Sequence, residues 1–120
     1  MVNKPKQQGT AYETYCVNRL NELPNTKARR LAEGGQNDLG DIICDIKKMD
    51  FIGECKNRTN LNVHQTLHKA LEKSGQFETV LYWKKLKRKG GNAKRSADGE
   101  PEVVVMTPEY YHWLLQNVNG

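Results

Sequence analysis

The sequence has no apolar run approaching the ~18 residues of a membrane span. Its first residues, Met1-Val2-Asn3-Lys4-Pro5-Lys6, lack the apolar stretch of a secretory signal. Cysteine is scarce: Cys16, Cys44 and Cys55 are an odd number without C-x-x-C spacing. That argues against a disulfide framework and against a zinc knuckle, and a cytoplasmic location is the expectation. No internal repeat and no Ser/Gly-rich linker divides the 120 residues, so a single domain over 1–120 is expected. A chain of this length can bury a core without a disulfide or a metal.

Acidic residues are missing from 84–95, where seven of twelve positions are basic: Lys84, Lys85, Lys87, Arg88, Lys89, Lys94 and Arg95. Lys and Arg total 19 against 14 Asp and Glu, a net charge of +5, which hints at a polyanionic partner. The acidic residues gather instead between Glu33 and Glu54. A basic chain with a local acidic cluster fits a metal-dependent enzyme acting on nucleic acid.

Residues 1–9 are polar and read as a mobile tail. Thr10-Ala11-Tyr12-Glu13 reads as a capping box, and Tyr12, Tyr15, Cys16, Leu20 and Leu23 follow at helical spacing up to Pro24. A helix is predicted over 11–22 and a strand over 28–32. In 41–46, Ile42, Cys44 and Ile46 alternate with Asp41, Ile43 and Asp45, and 51–56 is a second strand that puts Ile52, Glu54 and Lys56 on one face. The short link between them predicts an antiparallel hairpin. A helix follows over 62–74 with Gly75 as its stop, then a strand over 79–83, a basic loop or arm over 84–100, a strand over 103–106 and a helix from Pro108. The order α-β-β-β-α-β-β-α predicts an α/β fold, a mixed sheet flanked by helices.

The residues that carry chemistry are Asp41, Glu54 and Lys56. A hairpin turning at Lys47-Lys48 sets Asp41 opposite Glu54, with Lys56 two residues further along the same face. Opposed strand residues have Cβ atoms only ~4.5–5.5 Å apart. Two carboxylates that close repel unless a cation lies between them, and Mg²⁺ is held by one or two carboxylates plus water. Such a centre suits phosphodiester hydrolysis, with a lysine beside it to orient or deprotonate water and offset phosphate charge. Asp45-Ile46-Lys47 also fits a D-x-K pattern, but it ends at the turn with no later strand to complete it.

Asp41, twelve intervening residues and then Glu54-Cys55-Lys56 resemble the core of the PD-(D/E)xK nucleases. Within that superfamily the chain is most similar to the small Holliday junction resolvases of the archaeal type, over roughly residues 9–83. The resemblance implies a restriction-endonuclease-like core and a homodimeric, Mg²⁺-dependent enzyme in which Mn²⁺ substitutes. By it, Glu13 is an outer metal or water ligand, Asp41 and Glu54 are the central metal ligands, and Lys56 is the catalytic lysine. Arg29 and Arg30 on the first strand face the scissile phosphates, and Gln65 matches a glutamine used in this region. Leu39-Gly40 stands before Asp41 where the family motif has a proline.

Each residue also has a plainer reading. Glu13 completes a capping box, Gln65 lies at N3 after Asn62, and Asp38 forms a turn after Gly34-Gly35-Gln36-Asn37. His64 and His68 are four apart, but no third zinc ligand accompanies them. Cys55 faces away from Glu54 and belongs to the core. Trp83, Tyr110, Tyr111 and Trp113 suit core or dimer packing, with Tyr110, Trp113, Leu114 and Val118 as apolar candidates for a dimer face.

The function expected is a metal-dependent, structure-selective DNA endonuclease that resolves four-way junctions as a dimer. Arg29, Arg30, Arg58, Gln65 and the basic residues Lys84, Lys85, Lys87, Arg88, Lys89, Lys94 and Arg95 are its expected DNA contacts. The alternatives are a virus-type replication-repair nuclease acting on flaps or other branched DNA, and a catalytically silent DNA-binding module.

Overall fold

The computed structural model describes residues 4–31, 38–86 and 101–119. The elements are α1 (Lys4–Asn21), β1 (Lys27–Arg30), β2 (Ile42–Asp45), β3 (Asp50–Arg58), α2 (Val63–Ser74), β4 (Glu78–Lys85), β5 (Val103–Val105) and α3 (Pro108–Asn119). Their order is the expected one. The five strands form one mixed sheet in the order β1-β2-β3-β4-β5, parallel only between β3 and β4. The α2 crossover is what a parallel β3–β4 pair requires, because a tight turn cannot join parallel strands. No helix among the described residues is long and apolar enough to cross a membrane.

Strand alternation decides which helix covers which residues. Ile42, Cys44, Phe51, Cys55 and Val80 face α1 and α3, where Tyr12 and Cys16 of α1 and Tyr110 of α3 pack on them. Ile52, Thr79 and Leu81 face the other way, and Ser74 of α2 shares a buried hydroxyl–hydroxyl hydrogen bond of 2.7 Å with Thr79. Ile42, Ile52 and Leu81 are fully enclosed, each contributing about 1.5–3 kcal/mol of burial. Asn62 caps α2 by accepting the Gln65 N–H at 3.1 Å, and Gly75 ends it at φ 71°.

Three expectations change. The helix begins at Lys4, so part of the residues read as a mobile tail is the first turn of α1. Pro5 there lacks only an N–H that the first turn leaves unpaired anyway. Thr10 is therefore inside the helix, and the capping box does not exist. Second, β4 runs to Lys85, so Lys84 and Lys85 are strand residues and not part of a loop. Lys87, Arg88, Lys89, Lys94 and Arg95 lie outside the described residues. Third, Tyr110 is core at 2% exposure, and Trp113 and Leu114 pack against the same cluster. Tyr110 stacks on Trp113 with ring centroids 6.0 Å apart. The exposed apolar side chains of α3 are instead Tyr111 and Leu115; the side chain of Val118 lies outside the described residues.

Candidate active site

The register of the β2–β3 hairpin builds the centre of the site. Ile42 pairs with Gly53 and Ile43 with Ile52, which sets Asp41, one residue before β2, opposite Glu54 as the short link predicts. Backbone bonds pin Asp41 on both sides: its N–H donates to Gly53 O at 3.0 Å, and its carbonyl accepts from Leu31 at 2.9 Å. Its Oδ2 also accepts the Cys55 N–H at 2.8 Å. Gly40 makes this approach possible. A Cβ there would lie 2.3 Å from the Ile52 side chain and 3.4 Å from Glu54 Oε1, so any larger residue would push the Asp41 segment off β3.

Glu54 is 4% exposed, and each of its oxygens faces a lysine. Lys56 Nζ lies 3.7 Å from Oε2, and Lys73 Nζ of α2 lies 2.8 Å from Oε1. Oε1 makes that ion pair but no well-aligned hydrogen bond. The Asp41 carboxyl is pushed up to about 6 by burial first, then by the neighbouring Glu54 and Glu13 charges, against the pull of the Cys55 N–H and Lys56. Two carboxylates held side by side in a partly buried place are what a hard divalent cation relieves.

Glu13 is buried, and freed of any capping role it pairs with Arg30, whose Nε donates to Oε1 at 3.1 Å. It influences Asp41 without joining it: among the described residues no group of three or more His, Cys, Asp or Glu side chains is gathered closely enough to hold a metal ion. Arg29 is in register with Ile43 and Arg30 with Ile42, so the two arginines lie on opposite faces of the sheet. Arg29 is exposed on the face of Glu54. Asp38 is exposed, with Lys73 Nζ at 3.9 Å, and Asp45 is exposed at the hairpin turn, where it accepts the Lys47 N–H. His68 pairs with Glu72 at 3.0 Å, one turn on.

Beside Glu54 opens a cleft of about 460 Å³ between β3 and α2. Lys56, Arg58, Lys69 and Lys73 line it with Gln65, and Glu54 is its one carboxylate among the described residues. Lys56, Arg58 and Gln65 are expected there from the sequence, whereas Lys69 and Lys73 are not. Their signal is nonetheless present: Gln65, Lys69 and Lys73 recur every four residues, which puts them on one helical face. Lys84 lies on the other side of the sheet, its Nζ 5.6 Å from the Tyr15 ring centroid.

No family model, curated protein or solved structure matches this chain.

One consequence for stability follows from Asp41. A free Asp titrates near ~3.9, and the folded carboxyl near about 6. For an acid with a raised folded value, both states are protonated at low pH and no penalty exists. The penalty grows as pH passes from the unfolded to the folded value and is complete above it. Asp41→Asn keeps an oxygen for the Cys55 N–H and removes the charge. In metal-free buffer it should stabilise the protein at pH 8 by on the order of 1–2 kcal/mol, with the difference gone by pH 4. Thermal melts at the two pH values measure this; a variant less stable than wild type at pH 8 would contradict it.

Proposed function

We propose that this chain is a divalent-metal-dependent endonuclease with a restriction-endonuclease-like core, hydrolysing phosphodiester bonds in branched DNA, four-way junctions foremost. The observation that carries the reading is the pair Asp41 and Glu54, held opposite each other with Lys56 Nζ 3.7 Å from Glu54, Glu54 and Lys56 lining a basic cleft. The donor set fits Mg²⁺ or Mn²⁺. Asp41 and Glu54 offer hard oxygen ligands, and one or two carboxylates with water are enough. The upward shift of Asp41 marks a place where positive charge is wanted, and Lys73 Nζ at 2.8 Å already supplies one to Glu54 Oε1. Glu13, tied to Arg30, would act on the ion through its charge near Asp41.

When bound, the cation polarises the phosphoryl oxygen and lowers the pKa of a water. The remaining work falls to the chain. Asp41 and Glu54 would hold the ion. Lys56 donates to the attacking water and offsets negative charge building on the phosphate. Arg58 and Lys69 hold the flanking backbone by charge, and Gln65 adds an uncharged donor.

Resolving a junction takes two paired incisions, which a two-fold dimer supplies. Tyr111 and Leu115, both exposed and four apart on α3, offer an apolar pair for a second copy. Sedimentation at micromolar concentration should give a species of twice 13.7 kDa. A labelled four-way junction, a flap and a linear duplex, each with Mg²⁺, test the substrate. Symmetric nicks in the junction are expected. A 13.7 kDa monomer that cuts only the flap would move the reading to a flap nuclease, and binding without cutting to a silent DNA-binding module.

A further inference from the structure

We infer that Lys73 is the counter-ion of the metal-free site: it neutralises Glu54 in place of the divalent cation and has to withdraw before the cation binds, so that it governs metal affinity. The inference rests on the function proposed above and names a positioning residue that the D…E-x-K pattern does not contain.

The geometry separates the two lysines. Lys56 lies two residues from Glu54 on the same strand, and its Nζ approaches Oε2 only to 3.7 Å. Lys73 comes from the last turn of α2, and its Nζ reaches Oε1 at 2.8 Å. Oε1 is buried and makes no aligned hydrogen bond, so its neutralisation depends on that charge. Lys73 binds Glu54 by a short charge-assisted contact, and its side chain is 37% exposed on a flexible four-carbon stem. It can withdraw without disturbing the sheet. Lys56 pairs with Trp83 of β4 and its Nζ stands off at 3.7 Å from Oε2, so a cation at Oε1 does not compete with it for an oxygen.

A cation taking Oε1 meets the Lys73 ammonium at the same oxygen. Lys73 lines the cleft and already lies 3.9 Å from Asp38, so the displaced ammonium would stay on that wall, facing the space that a DNA phosphate would take. Metal binding thereby adds a free positive charge to the DNA surface, and by linkage DNA in the cleft favours metal binding.

The test is Mn²⁺ binding to the full chain without DNA, followed by electron paramagnetic resonance of the free ion. Wild type, Lys73→Met, Lys73→Gln, Lys69→Met and Asp41→Asn are compared, with thermal melts to show that each is folded. Lys73→Met should bind Mn²⁺ about tenfold more tightly than wild type, within the usual range of a coupling between two sites. Lys69 lines the same cleft and pairs with neither Asp41 nor Glu54, so Lys69→Met controls for charge at a distance and should change affinity less than about twofold. Lys73→Gln should behave as Lys73→Met. Equal or weaker Mn²⁺ binding by both Lys73 variants, or equal tightening by Lys69→Met, overturns the inference while Asp41-dependent binding in wild type leaves the nuclease reading standing. Absence of Asp41-dependent binding from every protein, including the Lys73 variants, overturns the nuclease reading and this inference with it.

Discussion

Glu54→Gln should lower the rate of junction cleavage in Mg²⁺ by on the order of 10³-fold or more, about 4 kcal/mol in the barrier, while junction binding stays at or above wild type. The substitution keeps the shape of a side chain that is 4% exposed and removes the charge that would hold the cation. It does not remove a DNA contact, because a polyanion gains nothing from a carboxylate. It also releases the ion pairs to Lys56 and Lys73, which leaves the cleft more positive. Asp41→Asn should show the same split, and Lys56→Ala should lose rate on the same scale with junction binding near wild type. Single-turnover cleavage at saturating protein, set beside filter binding, measures both halves. Cleavage by Glu54→Gln at close to wild-type rate would remove Glu54 from the chemistry.

The second large effect belongs to the cleft. Arg58 and Lys69 line it without pairing to a carboxylate at the centre, so their charge is available to phosphate. Each phosphate that is no longer neutralised reduces the dependence of log K on log salt by about 0.9. The Arg58→Gln, Lys69→Gln double variant should flatten that slope by nearly two units and weaken junction binding on the order of 10- to 100-fold at moderate salt. Replacing Lys87, Arg88, Lys89, Lys94 and Arg95 with Ser should also weaken binding and flatten the slope, while single-turnover cleavage at saturating protein stays within a few-fold of wild type, since those residues bring no carboxylate to the centre. Binding and salt slope unchanged in both variants would move the phosphate contacts elsewhere, to the exposed Arg29 first.

The centre of the site is legible in the sequence because two local signals agree. Alternation in 41–46 and 51–56 assigns faces, and a link too short for anything but a hairpin assigns register, so the Asp41–Glu54 opposition follows. What is not legible belongs to elements that carry more than one signal. Apolar spacing marks α1 only from Tyr12 onward, and the polar residues from Lys4 to Gly9 show none, although Pro5 marks a helix start. A start placed at Thr10 gives Glu13 a capping role, whereas its partner Arg30 lies on another element, a pairing no local pattern reveals. Helix α2 announces itself through Val63, Leu67, Ala70 and Leu71, and that apolar stripe masks Gln65-Lys69-Lys73 on its other face. Tyr110 and Trp113 look available for a dimer because aromatic spacing does not say which face the sheet will cover. The extension of β4 through Lys85 is hidden by charge: Lys84 and Lys85 are poor strand formers, and their pairing with Asn57 and Arg58 of β3 holds them in place.

The most direct measurement incubates saturating wild-type protein with an end-labelled four-way junction, in Mg²⁺ and in EDTA, with Glu54→Gln in parallel, and resolves the strands on a denaturing gel. Paired nicks in Mg²⁺, none in EDTA and none from Glu54→Gln are the expected result. An intact junction in both Mg²⁺ and Mn²⁺, or the same nicks from Glu54→Gln, would show that Asp41, Glu54 and Lys56 do not form a nuclease centre.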